Sequence, residues 1–362
     1  MTKNAYIHIP FCRSKCNYCS FVSFDKIDLK KAYLEALMYE IKTIYKGEFL
    51  KTLYFGGGTP SVLTMTEIKK IISLFKTSQK TEITFEINPN DTTEKYLKEL
   101  KQLGINRISI GAQTFNDKIL KLIGRKHNSK QIKIAVKTAQ KAGFENISVD
   151  LIYGLPTQTV CDFEKDLQKA VELNIQHISL YGLKIEAGCF FAKKQPASLP
   201  DSDTQADMYL AAIKILQKNN FKHYEISNFS KKGFKSKHNL NYWNNNNYYG
   251  FGLSASGYEN KTRYTNQTDL KKYIKNPLLK ITKDKLTEKE ILEEAIFLGF
   301  RKIPGINTKK INKNFNINFG DKYKTILDKY LISGHLKKTK IGFALTRKGI
   351  LVSNSVLCEF LS

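Results

Sequence analysis

The chain has no apolar run approaching the roughly 18 residues of a membrane span, and its first residues pass into a strand-like pattern with no signal-peptide features. A membrane-embedded or secreted protein is therefore not expected. Six cysteines among 362 residues are too few and too scattered for a disulfide framework, so the reading is a reduced, cytoplasmic setting. There is no internal repeat and no low-complexity linker, which excludes solenoids and tethered modules. Arginine is scarce. The net charge is +26, but only six of the 59 basic residues are Arg. Arg is the usual residue for planar recognition of phosphates and bases, so the charge alone does not make this a nucleic-acid-binding protein. Residues 261–350 carry 22 basic against 8 acidic residues, a concentration that a solvated face explains and that an anionic membrane surface would also suit.

What is present is concentrated near the start. Cys12, Cys16 and Cys19 fall in the run Tyr6-Ile7-His8-Ile9-Pro10-Phe11-Cys12-Arg13-Ser14-Lys15-Cys16-Asn17-Tyr18-Cys19. A [4Fe–4S] cluster ordinarily takes four Cys ligands. Three leave one iron with an open position, which the amino and carboxylate groups of S-adenosylmethionine (SAM) can fill. The alternative is a zinc site short of one ligand. Zinc sites favour two separated Cys/His pairs, and Cys161, Cys189 and Cys358 are isolated.

From residue 4 to about 225, short β-branched runs alternate with longer amphipathic ones. Strands are expected at Ala5–Ile9, Thr52–Phe55, Glu82–Ile87, Arg107–Ile110, Ile147–Ile152, His177–Leu183 and Lys222–Glu225. Helices are expected at Leu29–Tyr45, Thr66–Phe75, Glu94–Leu103, Lys130–Ala142, Asp162–Leu173 and Thr204–Gln217. The alternation implies parallel strands with right-handed crossovers, an α/β fold in the form of a partial TIM-like barrel over residues 1–225. Parity along three strands sets Glu86, Gln113 and Asp150 opposite the apolar residues, pointing into the barrel near its C-terminal end, where barrel sites sit. Residues 226–275, rich in Asn, Ser, Gly and Tyr, read as a loop-rich segment of functional type. Residues 276–362 read as a smaller, mainly α domain of winged-helix type, with a hairpin at Leu336–Leu345.

Gly56-Gly57-Gly58-Thr59-Pro60 ends one of these strands, where its missing side chains allow close backbone approach. With Glu86-Ile87-Asn88-Pro89, Ser109-Ile110-Gly111-Ala112-Gln113, Gly124-Arg125-Lys126-His127 and Asp150-Leu151-Ile152-Tyr153-Gly154-Leu155-Pro156, it completes an ordered set. By these residues the chain resembles radical SAM proteins of the oxygen-independent coproporphyrinogen III oxidase-like group. The resemblance is close over residues 6–156 and more diffuse to the C-terminus. It implies Cys12, Cys16 and Cys19 as [4Fe–4S] ligands and Tyr6 and Tyr18 as aromatic walls of the SAM site. It implies Gly57, Gly58 and Thr59 at the methionine end, and Glu86, Gln113, Arg125 and Asp150 on the carboxylate, amino and ribose groups. Arg125 suits a carboxylate through its fork, and Asp150 suits ribose hydroxyls.

Two departures separate the chain from the oxidases of the group: Phe21 stands where they carry a further Cys, and the segment preceding the cysteines is short. Both match the heme chaperone branch, as does Lys237-His238-Asn239-Leu240-Asn241-Tyr242-Trp243. Imidazole is a common heme ligand, so His238 is the candidate heme contact, set against a purely loop-shaping role. The expected function is a heme chaperone carrying a [4Fe–4S] cluster and SAM, with heme, heme-accepting membrane proteins and a second copy of the chain as partners. Coproporphyrinogen III oxidation is the alternative, and no catalytic residue is assigned. An RNA-modifying radical SAM enzyme is the third reading, disfavoured for want of an RNA-binding module.

Overall fold

The computed structural model describes residues 1–25 and 27–361. Six parallel strands form the frame: β1 (Asn4–Ile9), β2 (Thr52–Gly57), β3 (Glu82–Ile87), β4 (Arg107–Gln113), β5 (Ile147–Tyr153) and β6 (His177–Gly182). Between them lie α1 (Lys30–Ile44), α2 (Met65–Ile72), α3 (Glu94–Gln102), α4 (Asp117–Leu122), α5 (Ser129–Lys141) and α6 (Val160–Glu172). Local chemistry sets several helix starts. Thr64 with Glu67, Asn128 with Gln131 and Thr159 with Asp162 form reciprocal capping boxes that satisfy the first free amides. The strands are Ile- and Phe-rich because both faces are covered. Ile83, Phe85 and Ile87 pack outward under the helices, while Glu86 points the other way.

After β6 come α7 (Phe190–Lys193), α8 (Ser202–Lys218), β7 (Lys222–Glu225) and β8 (Asn228–Ser230). β7 does not continue the parallel series expected of it. It runs antiparallel to β8, which in turn runs antiparallel to β6, and its last residue, Glu225, bridges to Lys302. The chain then returns through α9 (Lys237–Trp243) to β9 (Tyr249–Phe251), which pairs in parallel with β1 on the other side of the sheet. The nine-stranded order is β7-β8-β6-β5-β4-β3-β2-β1-β9, so the barrel stays open.

The 226–275 segment is thus not a loop region set apart from the barrel. It supplies β8, one strand in from one edge of the sheet, and β9 at the other edge, and its later part forms β10 (Ser256–Glu259), β11 (Thr262–Asn266) and α10 (Leu270–Lys275). Its short strands escaped notice because three- to five-residue pieces separated by Asn and Gly show no readable period. With β12 (Lys280–Lys285), β10 and β11 make a small antiparallel sheet. The barrel's apolar core extends from Ala5 to Tyr273.

A second core runs from Leu292 to Phe360. It joins α11 (Glu288–Phe300), β13 (Ile306–Asn307), α12 (Thr308–Phe315), α13 (Phe319–Lys322), α14 (Lys324–Ile332), β14 (Leu336–Thr339), β15 (Gly342–Leu345), α15 (Arg347–Leu351) and α16 (Ser353–Cys358). Helices followed by a β14–β15 hairpin, with β13 completing a three-stranded wing, give the winged-helix-like form. No helix among the described residues is long and apolar enough to cross a membrane.

Candidate functional site

The loop leaving β1 carries the three cysteines. It is closed at its base by Cys12 N–H to Phe24 O at 2.9 Å and Phe24 N–H to Pro10 O at 2.8 Å. All three thiols are free and half-buried. The glycine run at the end of β2 lies directly beneath them. A Cβ on Gly58 would stand 2.8 Å from Phe11 O and 3.0 Å from Cys12 Sγ. One on Gly57, whose φ is +113°, would stand 2.8 Å from the His8 ring. No side chain fits at either position, which is why the turn is glycine. Gly58 N–H donates to Ile9 O at 2.8 Å, and Thr59 Oγ1 lies 3.5 Å from Cys12 Sγ.

Arg125 approaches the loop from the other side. Its Nη1 is 3.5 Å from Cys16 Sγ, and its Nη2 donates to Asn88 Oδ1 and Gly111 O, each at 2.7 Å. Nη2, part of the fork expected to take a carboxylate, is already engaged by Asn88 and the β4 backbone. What stays buried without a partner is Nε. Asn88, which also donates to Thr59 Oγ1 at 3.1 Å, links the arginine to the glycine turn. Nothing in the Glu86–Pro89 sequence marks Asn88 for this role. Tyr18 lies against Arg125 and Cys16 within the loop.

Glu86, Asp150 and Gln113 meet at the same end of the barrel. The register aligns Glu86 with Ser109 and Asp150 with Gly111 across adjacent strands. A bulge between Gly111 and Gln113, with Gln113 at φ +68°, re-aims the end of β4. The Gln113 amide then lies where a Gly111 side chain would be, 2.9 Å from that ideal Cβ. Glu86 accepts from Tyr54 OH at 2.7 Å. Burial pushes its carboxyl up to about 7, with the Tyr54 hydrogen bond opposing and the Asp150 charge adding. Asp150 accepts from Ser109 Oγ at 3.0 and 3.1 Å and from Ser148 Oγ at 3.4 Å, and burial raises its pKa as well. Tyr6 stands beside Tyr54 and bonds His8 Nδ1 at 3.0 Å. Tyr54 and the serines escaped the sequence reading because each is one polar residue in an otherwise ordinary strand.

These residues fit the groups the cysteine spacing implies. The donor set is the three free thiols of one loop, and no group of three His, Cys, Asp or Glu side chains among the described residues is set to hold a single metal ion. Beside the thiols are an arginine Nε lacking a partner, a glycine cradle and two carboxyls aimed into the cleft. That set would hold a three-ligand [4Fe–4S] cluster with SAM on its open iron.

His238 lies below these groups, its ring centroid 5.0 Å from that of Tyr54. It sits on α9 under the opposite, N-terminal end of the barrel and is 1% exposed. Nδ1 is 2.8 Å from Thr52 Oγ1, Nε2 is 2.7 Å from Tyr242 OH, and the backbone N–H donates to Glu82 at 3.0 Å. Burial lowers its pKa to about 3. Both ring nitrogens are occupied, so the expected heme contact by His238 does not fit this arrangement. The other reading, that the residue shapes its segment, does.

Comparison with known proteins gives the family and the fold. Residues 6–170 match the radical SAM superfamily and residues 286–352 the HemN C-terminal domain. The chain is 39% identical to the heme chaperone HemW of Lactococcus lactis, covering 99% of this chain and 97% of the relative. It is 38% identical to that of Bacillus subtilis, covering 99% of each. The solved coproporphyrinogen III oxidase HemN of Escherichia coli, a radical SAM enzyme, shares the fold with a TM-score of 0.87 at 24% identity. That match covers 100% of this chain and 90% of the other. With near-complete coverage at this identity, the chain belongs to the HemW heme chaperone family of the radical SAM superfamily.

Proposed function

We propose that the chain binds heme and passes it to acceptor proteins, with a [4Fe–4S] cluster on Cys12, Cys16 and Cys19 and SAM beside it. The observation that carries this is the full-length kinship with heme chaperones, joined to a cleft whose donors fit cluster and SAM. When bound, the cluster supplies an open iron and an electron. The chain's own residues do the positioning. Gly57, Gly58 and Thr59 bring the β2 backbone against the cluster loop, and Arg125 places positive charge beside Cys16. Its Nε, with Gln113, meets the amino-acid end of SAM. Asp150, fixed by its serines, accepts from ribose hydroxyls, and Glu86 takes the amino group or a proton. Tyr6 and Tyr18 wall the site.

Membrane-bound respiratory enzymes are the acceptors in this reading. It also includes a homodimer and a cytoplasmic position at the membrane periphery, favoured by the basic C-terminal quarter. Vesicle sedimentation at rising salt tests that last part, since binding that ignores salt would contradict an electrostatic approach.

The deciding experiment is an anaerobic turnover assay. The reconstituted protein, its cluster verified by spectroscopy, receives reductant, SAM and coproporphyrinogen III beside an active oxidase. No decarboxylated product from an intact cluster is expected. Repeated turnover would make the chain an oxidase of heme synthesis and end the chaperone reading.

A further inference from the structure

Phe21 is 66% exposed although it belongs to the loop that holds the cysteines. A single exposed apolar side chain is ordinary, but several grouped beside a cleft mark a contact surface. The outer part of this loop is sewn to the segment after β6. Ser20 Oγ donates to Glu186 Oε2 at 2.8 Å, and Phe191 N–H donates to Asn17 O at 2.9 Å. These two bonds make one rim from residues 17–21 and 186–191. Phe191 is buried and anchors α7, while its neighbour Phe190 is 50% exposed. Tyr181, at the end of β6, is 46% exposed and opens onto the same cleft beside Asp150.

The charges of this rim are mainly cationic. Lys184, Lys193 and Lys194 are exposed and flank it along the chain, and Lys15 lies close enough to Cys19 to act on its thiol. None of the four forms an ion pair among the described residues. Glu186 is also on the rim, with its carboxylate engaged by Ser20.

We propose that heme docks on this rim, its ring against Phe21 and Phe190 and its propionates toward Lys193 and Lys194. The inference rests on the chaperone reading and says where the cargo sits. Heme is a flat apolar disc with two carboxylates at one edge. Two exposed aromatic side chains backed by unpaired ammonium groups match both parts of that molecule. An acidic peptide would use the lysines and leave the phenylalanines unexplained. The α9 motif offers neither an open face nor a free imidazole nitrogen.

The test is an anaerobic titration of hemin into the full chain, followed by difference absorbance in the Soret region. It compares the parent, Phe21→Ser with Phe190→Ser, Lys193→Glu with Lys194→Glu, and Phe49→Ser. Phe49 is 65% exposed on the loop entering β2, at the other end of the barrel. The double phenylalanine variant is expected to bind at least about tenfold more weakly, and Phe49→Ser within about twofold of the parent. The lysine pair, away from the thiols, is expected to weaken binding by about threefold or more, with most of the effect lost at high salt. It decides the matter if the phenylalanine variant loses its cluster. Saturable binding by the parent that neither double variant changes would overturn this site and leave the chaperone reading intact. No saturable binding by the parent would overturn the chaperone reading itself.

Discussion

The two ends of the barrel use the same residue types to opposite ends. Under the N-terminal end, His238 is closed in by Thr52, Tyr242 and Glu82, while Asn4 donates to Asn241 Oδ1 at 2.7 Å. At the C-terminal end, Glu86, Asp150, Gln113 and Arg125 stand around a cleft, partly open to it, with the Arg125 Nε unpaired. At the first end each valence of the histidine is spent on a neighbour, and the result is a plug that fixes the strand starts. At the second, capacity is held in place but not consumed, and the result is a site. Residue type does not distinguish the two, and neither does full pairing, since Asn241 Nδ2 at the first end also lacks a partner; access does, because His238 and Asn241 are buried while Glu86, Gln113, Arg125 and Asp150 are partly open.

The sharpest way to break the contrast is to remove what each end depends on. Replacing Cys12, Cys16 or Cys19 by Ala should abolish cluster reconstitution, read as iron and sulfide content. The apo protein's unfolding midpoint should scarcely move, because half-buried free thiols contribute little packing. His238→Ala should do the reverse. It should cost about 2–4 kcal/mol by denaturant unfolding near neutral pH, from two lost buried hydrogen bonds and a cavity, while the folded fraction still reconstitutes its cluster. The deficit should also depend on pH. In the fold the ring takes a proton only near pH 3, whereas the unfolded ring does so near 6.5. The stability this group contributes is therefore complete above 6.5 and falls by about 1.4 kcal/mol per unit as pH drops toward 3. The variant's deficit should shrink accordingly between pH 7 and 5. A cysteine variant that unfolds, or a His238 variant that is stable but loses heme, would invert the assignment of the two ends.

Much of the site end was legible in advance, for a physical reason. Spacing in the loop, glycine at a close approach and strand parity are local patterns, so Cys12, Gly58, Glu86 and Asp150 could be located without coordinates. Gln113 lies past a bulge that sets it opposite Leu151, and it is its φ of +68° that turns the amide back over Gly111, which strand parity does not show. The far end was not legible. What saturates His238 comes from Thr52 and Glu82, 186 and 156 residues away, and from Tyr242 one turn along. A motif shows which groups a segment carries. It does not show which of them the tertiary structure will use up. The antiparallel β7–β8 pair and the parallel return of β9 were hidden for the same reason, since each depends on a distant edge.

The smallest predicted effect is also the most specific to the site end. Glu86 is hemmed in by Tyr54, the Gly57 amide and the field of Asp150, yet part of it faces the cleft. Its carboxyl is raised to about 7 in the fold against an ordinary 4.5. A raised carboxyl is neutral in both states below 4.5. As pH rises toward 7 the unfolded state ionises first, so the fold loses stability, and the penalty levels off above 7. Glu86→Gln removes that penalty while its amide oxygen can still accept from Tyr54. The apo variant should therefore match the parent near pH 4.5 and exceed it by about 1–2 kcal/mol at pH 8, a figure reduced for the partial opening to water. SAM binding to the reconstituted variant should weaken at the same pH. A stabilised variant with weaker SAM affinity is what a held but unspent group predicts. A variant destabilised at pH 8 would mean that Glu86, like His238, is already satisfied by its neighbours, and the difference between the two ends would narrow to the thiols alone.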